Sequence, residues 1–234
     1  MDIGGNEGCY SLFLRKYARS VMVFEPIPWM ADELVRKFGD SIVVSDLALS
    51  SSNGFAWLHI PLIDKEPATA LASLSRTPST SAVATREIMV KTARLDDAYE
   101  GDAGFIKIDV EGHEESVLEG AQLTIRRNRP RLLIEIEERH APGALRRIVR
   151  FFKLQHYQCY FLDRGRLHPA AEFDPDRLQR PRDIGGTRAY INNFIFLPDE
   201  EADALLSRIA RRPKRSGVRL RRQAPASDAR QRHH

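Results

Sequence analysis

Residues 1–11 read MDIGGNEGCYS, and this stretch decides the fold because it joins a short apolar segment to a helix through a glycine-rich turn. Turns of this kind follow buried strands in proteins with alternating strands and helices. Gly4 and Gly8 let the backbone bend sharply and approach a ligand closely, and the next helix offers free N–H groups to polar ligand atoms. The spacing is not the dinucleotide-binding G-x-G-x-x-G, because Asn6 stands at its second glycine.

Outward from this turn, strand and helix patterns alternate along the chain. Short apolar runs predict strands, and apolar residues at helical spacing predict helices. The strands are expected at 21–24, 42–49, 105–110, 132–136, 157–162 and 192–198, and the helices at 10–19, 28–38, 114–127 and 144–154. Such alternation implies right-handed crossovers and a mostly parallel sheet with helices on both faces. We therefore predict an α/β fold in one domain over residues 1–210.

Residues 50–92 interrupt this alternation. Strand patterns at 55–60 and 87–92 flank a stretch rich in Pro, Ser, Thr and Ala. A long polar excursion inside a compact domain is usually disordered or functional. We predict that it forms a lid over a binding site.

The positive charge of the chain is concentrated at its C-terminal end. The formal net charge is +4, yet residues 211–234 hold nine Lys and Arg against one Asp, so residues 1–210 carry a net −4. Low hydrophobicity and high charge predict a disordered tail. This basic tail could contact an anionic surface or be a solvated extension without a partner, and no specific nucleic-acid partner is expected.

Other features of the composition point to a cytoplasmic protein. No apolar run approaches the ~18 residues of a transmembrane helix, so no transmembrane segment is expected. The first residues lack the pattern of a signal peptide. Cys9 and Cys159 form neither a CxxC pair nor a disulfide framework, which fits a reducing compartment.

Carboxylates occur where the predicted strands end, which is where parallel sheets bind ligands. Glu25 follows the second strand, seventeen residues after Gly8, and could accept hydrogen bonds from both hydroxyls of a ribose. Asp46, at the third strand, could reach an adenine amino group. A glycine-rich turn by itself is equally explained as a tight strand-to-helix turn, but together these positions predict a nucleoside pocket.

The end of the fourth strand, KIDVEGHEE, concentrates ionisable residues. Asp109, Glu111 and His113 share one face if the backbone stays extended, and a histidine beside carboxylates is a plausible general base for a hydroxyl. Glu114 and Glu115 suit the start of the next helix, where we expect them to be solvated capping residues.

A second acidic group follows the next strand and has two interpretations. Glu135, Glu137 and His140 could complete a binding or metal site, since hard cations prefer carboxylate oxygens. They could also be surface groups at a polar strand end.

Taken together, these motifs resemble the FkbM family of S-adenosylmethionine-dependent methyltransferases over about residues 2–198. The most specific match is FIKIDVEGHEESVLEGA (105–121) followed by RPRLLIEIEE (129–138). Further matches in chain order are DIGGNEGCYSLFL (2–14), VFEP (23–26), DLALSSSNG (46–54), ALASL (70–74), TARLDD (92–97) and NNFIFLP (192–198).

The resemblance implies a class I methyltransferase fold, a mostly parallel, seven-stranded, Rossmann-like sheet. It also implies transfer of a methyl group from S-adenosyl-L-methionine to a hydroxyl of a small-molecule or glycan acceptor, such as a sugar, polysaccharide or natural product. Metal dependence stays open. Carried onto this chain, the cofactor-binding residues would be Asp2, Gly4, Asn6, Gly8, Glu25 and Asp46, and the catalytic residues Asp109, Glu111 and His113.

One departure from the family pattern lies at the start. The family has several apolar residues before its first Asp, whereas this chain has Met1 alone before Asp2. We therefore expect a truncated first strand that leaves neighbouring backbone groups unpaired. A truncated, non-catalytic binding module is one alternative to an enzyme. A nicotinamide-dependent oxidoreductase is another, disfavoured by Asn6 and by the lack of an obvious Tyr/Lys pair.

Overall fold

The computed structural model describes residues 1–75, 84–186 and 189–210. The predicted basic tail, 211–234, and the middle of the excursion, 76–83, lie outside the described residues. The helices span Cys9–Leu14 (α1), Pro28–Phe38 (α2), Leu95–Ala98 (α3), Glu114–Glu119 (α4), Gln122–Asn128 (α5), Ala144–Lys153 (α6), Pro175–Leu178 (α7) and Asp199–Ala210 (α8). The strands span Asp2–Ile3 (β1), Met22–Phe24 (β2), Val43–Ser45 (β3), Ala48–Leu49 (β4), Gly54–Ile63 (β5), Glu66–Pro67 (β6), Thr85–Ala93 (β7), Phe105–Ile108 (β8), Arg131–Glu135 (β9), Tyr157–Asp163 (β10), Arg166–Pro169 (β11) and Asn193–Pro198 (β12).

The main sheet has eight strands in the order β11-β10-β12-β9-β8-β1-β2-β3. From β9 to β3 all neighbours pair in parallel, whereas β12 pairs antiparallel with both β9 and β10, and β11 pairs antiparallel with β10. The α/β class is therefore as predicted. The prediction of a mostly parallel, seven-stranded sheet is wrong, because the sheet is mixed and has an eighth strand.

A tight hairpin supplies the eighth strand. Arg164 and Gly165 both have positive φ, 48° and 76°, and connect Asp163 to its paired residue Arg166. Two-residue turns with positive φ match the twist of the strands they join. The sequence pattern predicted no strand between 162 and 192, because β11 is only four residues long.

The excursion forms a second sheet, in the order β4-β7-β5-β6. Residues 54–61 of β5 pair antiparallel with residues 85–92 of β7, so both strand patterns of the excursion are confirmed. The strand expected at 42–49 is in fact two strands, because β3 joins the main sheet and β4 joins the second sheet. The chain crosses between the sheets at Asp46 and Leu47.

The helices follow local signals with one interruption. Helix α2 begins at Pro28 and is followed by Gly39, as predicted. The helix expected at 114–127 is broken into α4 and α5 at Gly120, where a Cβ would lie 2.0 Å from the Ser50 carbonyl oxygen. This close approach ties the start of the excursion to α4.

The hydrophobic core lies between the parallel strands and the helices. Strand residues Ile3, Phe24, Ile108 and Ile134 are at most 1% exposed. Fully burying such a side chain contributes about 1.5–3 kcal/mol. Although it has two residues, β1 lies inside the sheet and pairs with both β2 and β8. Among the described helices, none combines the length and the apolar character that crossing a membrane requires.

Candidate active site

The carboxyl ends of β1, β2, β8 and β9 open into a cavity of about 280 Å³. Residues 69–70 and 72–74 of the excursion also line it, together with Leu58 of β5. Open α/β sheets bind ligands at this edge. The excursion thus covers part of the cavity, which is where a lid would lie. The polar lining consists of Asn6, Glu25, Thr69, Ser73, Asp109, Glu111, His113 and Glu135.

Glu25 is held rigidly at the end of β2. Its side chain is buried, and its two carboxylate oxygens accept hydrogen bonds from the backbone N–H groups of Asn6 at 2.7 Å and Ile27 at 2.9 Å. Burial raises its pKa, while the two hydrogen bonds lower it. Each oxygen keeps a further lone pair that can accept a ligand hydroxyl.

The glycine-rich turn lies against the end of β8. Gly4 has φ +80°, and a Cβ at this position would lie 1.9 Å from the Asp109 carbonyl oxygen. Asn6 also has positive φ, 42°, and its side-chain oxygen accepts a hydrogen bond from the Thr69 hydroxyl at 3.1 Å. The turn therefore contacts both the end of β8 and the excursion.

Three of the residues predicted to bind the cofactor do not line the cavity. The Asp2 carboxylate is buried and accepts a hydrogen bond from the Ser11 hydroxyl at 2.6 Å. A Cβ on Gly8 would meet the side chains of α2, so Gly8 serves helix packing. Asp46 is exposed at the crossing between the sheets, and its neighbour Leu47 lines the cavity instead. Cofactor binding by these three stays a prediction.

The cavity floor is acidic. Asp109, Glu111 and Glu135 each offer a carboxylate oxygen, and these three oxygens lie within 4.8 Å of one another. The buried ammonium of Lys107 pairs with Asp109 at 2.7 Å and lies 4.7 Å from the centre of the Tyr10 ring. Lys107 was missed by the sequence analysis. Its signal was a lysine within an otherwise apolar buried strand, where a charge needs a partner.

Crowding of carboxylates changes their protonation. Burial, with Asp109 and other carboxylates nearby, raises the pKa of Glu111 to about 9. Burial and the charge of Asp109 raise the pKa of Glu135 to about 7. Perturbed groups of this kind are typical of sites that bind ligands or move protons.

His113 lines the cavity, but its partners are not carboxylates. Its Nε2 lies 2.9 Å from the Ser50 hydroxyl and its Nδ1 lies 3.1 Å from the Ser75 hydroxyl. The backbone is not extended between Asp109 and His113, because Glu111 has φ +52°, so the condition for their sharing one face is not met, although all three residues line the cavity. Burial lowers the pKa of His113, which favours the neutral imidazole.

The histidine that contacts carboxylates is His140. Its Nε2 lies 3.2 Å from Glu111 and 3.5 Å from Glu137. Burial would raise the pKa of Glu137, but His140 and hydrogen bonds from Arg139 and Tyr190 lower it well below its usual range. Glu137 and His140 are each 7% exposed, so the interpretation as surface groups is wrong for both.

Glu114 is not the solvated capping residue that its position suggested. It is 3% exposed, and its carboxylate accepts a hydrogen bond from the Gly112 backbone N–H at 2.9 Å. Burial raises its pKa to about 7. Glu115, by contrast, is partly exposed and forms an ion pair with Arg147 at 2.7 Å.

The raised pKa of Glu114 predicts a pH-dependent effect of Glu114→Gln. Between about pH 4.5 and 7 the folded protein keeps a proton on Glu114 that the unfolded chain loses, so this residue makes the wild type less stable as pH rises through that window. Glutamine is neutral at every pH. We expect the free energy of unfolding of the variant to rise relative to that of the wild type by on the order of 2–3 kcal/mol as the pH increases from about 4.5 to 7. Above pH 7 the difference should stay constant.

Urea unfolding at intervals from pH 4 to 8 measures this difference. Glu119→Gln is the matched control, because Glu119 is an exposed carboxylate at the end of the same helix. A constant free-energy difference between Glu114→Gln and wild type across the whole range would contradict the assignment.

Comparisons with known proteins agree with this architecture. A family model described as the methyltransferase FkbM domain matches residues 2–159. The crystal structure of methyltransferase FkbM from Methylobacillus flagellatus KT is similar in fold, with 19% sequence identity and a TM-score of 0.52. That similarity covers 83% of this chain but 42% of the other, so this chain spans less than half the length of that protein. No match was found among curated proteins.

Proposed function

Because the chain belongs to the FkbM methyltransferase family, we propose that it transfers a methyl group from S-adenosylmethionine to a hydroxyl oxygen of a sugar, polysaccharide or natural product. We assign this activity to residues 1–210. The observation that carries the proposal is the Glu25 carboxylate, held by two backbone amides at one side of a cavity with acidic residues and His113 at another. One side suits a nucleoside, and the other suits an acceptor hydroxyl.

The residues present fit S-adenosylmethionine. Glu25 offers two oxygens to the hydroxyls of a ribose. Ile27, Leu47 and Leu58 supply an apolar lining for a flat base. At Gly4 the backbone runs close to the end of β8 with no side chain in between, so main-chain groups of the turn can approach a ligand.

The chemistry divides between cofactor and protein. S-adenosylmethionine supplies a methyl group on a positively charged sulfur, so attack by oxygen forms the C–O bond and leaves the C–S electron pair on sulfur. The protein orients the acceptor and removes its proton. We assign proton removal to His113, since it lines the cavity and its lowered pKa keeps one ring nitrogen free of a proton near neutral pH.

Two hydroxyls hold the His113 ring in place. Ser50 begins the excursion and Ser75 lies further along it, and each contacts a different ring nitrogen. One nitrogen donates to its serine and the other accepts, so the accepting nitrogen can take the acceptor proton directly or through its serine hydroxyl. The excursion thereby supports both the cavity wall and the proposed base.

Calorimetric titration of the purified chain with S-adenosylmethionine, with NAD and NADP as controls, tests the proposal. We expect selective binding with a Kd in the micromolar range, about −8 kcal/mol. Binding of NAD or NADP instead would favour an oxidoreductase. Binding of S-adenosylmethionine without methylation of any hydroxyl acceptor, followed by mass spectrometry, would favour a non-catalytic module.

A further inference from the structure

The acidic floor of the cavity has the geometry of a cation site. Asp109 and Glu111 follow β8 and Glu135 ends β9, its parallel neighbour, so one edge of the sheet brings the three together. One oxygen from each lies within 4.8 Å of the others. Ligands about 2.1 Å from an octahedral cation lie roughly 3–4.2 Å from one another, so small side-chain rotations bring all three onto one ion.

His140 is the second, independent observation. Its side chain is 3% exposed, and within the described residues neither ring nitrogen has a hydrogen-bond partner. A buried polar group without a partner is costly. Nε2 lies 3.2 Å from a Glu111 oxygen without hydrogen-bond alignment, and this separation is close to the ~3 Å expected for adjacent ligands of one cation.

From this geometry we propose that Asp109, Glu111, Glu135 and His140 bind one divalent cation of the Mg²⁺ or Mn²⁺ class at the cavity floor. Three carboxylate oxygens and one imidazole nitrogen form a donor set for hard or borderline divalent ions, and the site has no thiolate to favour softer ones.

The surrounding charges support a divalent ion. When a bound cation keeps all three carboxylates ionised, they and the Lys107 ammonium that pairs with Asp109 carry a net charge of −2, which one divalent cation balances. Arg139 is engaged with Glu137, so its charge is directed at the neighbouring carboxylate.

Neighbouring groups also orient one of the proposed ligands, as in established metal sites. Asn192 and Asn193 donate side-chain N–H groups to the two oxygens of Glu135. These hydrogen bonds restrict the rotation of Glu135 toward or away from the cavity.

Cation binding goes beyond the proposed function and does not depend on it. The role of the cation in methyl transfer, however, rests on the proposed function. A bound cation would coordinate the acceptor hydroxyl oxygen and lower the pKa of that hydroxyl. The O–H bond would then break with its electron pair kept by oxygen, and the proton would pass to His113. The cation would thus complement the proposed base.

Titration of the metal-stripped full chain with Mn²⁺, followed by the electron paramagnetic resonance signal of free Mn²⁺, tests the site. We expect one tightly bound equivalent, displaced by excess Mg²⁺. Glu111→Gln and His140→Gln should each weaken Mn²⁺ binding at least tenfold. Glu115→Gln is the matched control and should leave it within twofold, because Glu115 is partly exposed and paired with Arg147.

Two variants keep the test decisive if one of them fails to fold, as judged by circular dichroism. Absence of a stoichiometric Mn²⁺ site, or a site that neither variant weakens, would overturn the proposal. Calorimetry with S-adenosylmethionine on the same samples separates the two ideas. Cofactor binding without Mn²⁺ binding rejects the cation site alone, and Mn²⁺ binding without cofactor binding rejects the proposed function alone.

Discussion

Replacing Gly4 with alanine is expected to destabilise the fold by about 2–5 kcal/mol, a loss comparable to a severe core substitution. Gly4 has φ +80°, which costs a residue with a Cβ about 1–2 kcal/mol. The new Cβ would also lie 1.9 Å from the Asp109 carbonyl oxygen, so β1 and β8 would have to move apart. Overpacking of this kind costs about 1–3 kcal/mol. Urea unfolding of the two proteins measures the sum.

Gly165→Ala separates the two causes. Gly165 has nearly the same φ, +76°, but a Cβ there would meet no atom within 4 Å. We therefore expect this control to lose about 1–2 kcal/mol, from the backbone alone. If the two substitutions lower the free energy of unfolding equally, the close approach of Gly4 to the Asp109 carbonyl oxygen is relieved at no cost. That result would contradict tight packing of the glycine-rich turn against the end of β8.

Local sequence signals predicted single elements better than their arrangement. Helix α2 has the expected bounds because Pro28 and Gly39 mark its ends in the chain itself. The apolar run at 42–49 predicted a strand but could not show that its halves, β3 and β4, belong to different sheets. Sheet membership depends on contacts between distant residues. One of these contacts is the pairing of β4 with β7.

The candidate site shows the same division. Strand ends could be located from the sequence, so Glu25 and the carboxylates of the cavity floor were placed at one edge of the sheet. The partners of His113 could not be predicted, because Ser50 and Ser75 lie 63 and 38 residues away in the chain and only the fold brings them to the ring. The contact of His140 with Glu111 likewise joins two loops that are far apart in the chain.

Glu25→Gln is expected to weaken S-adenosylmethionine binding about 30-fold to 150-fold, or 2–3 kcal/mol. The substitution keeps the shape of the side chain but removes its charge. Its amide NH₂ would also face the backbone N–H of Asn6 or Ile27, since both carboxylate oxygens now accept from those groups. One ribose hydroxyl therefore loses its acceptor, and one buried N–H loses its partner. Calorimetric titration gives the change in Kd.

Glu33→Gln provides the control, because Glu33 is an exposed carboxylate on α2, the helix that follows Glu25. It should leave the Kd unchanged within twofold. Unfolding curves of both variants are needed, since the unpaired N–H in Glu25→Gln also lowers stability. If Glu25→Gln is folded and binds S-adenosylmethionine as tightly as the wild type, Glu25 is not the ribose acceptor. The two backbone hydrogen bonds would then serve only to hold the glycine-rich turn after β1 against the turn between β2 and α2.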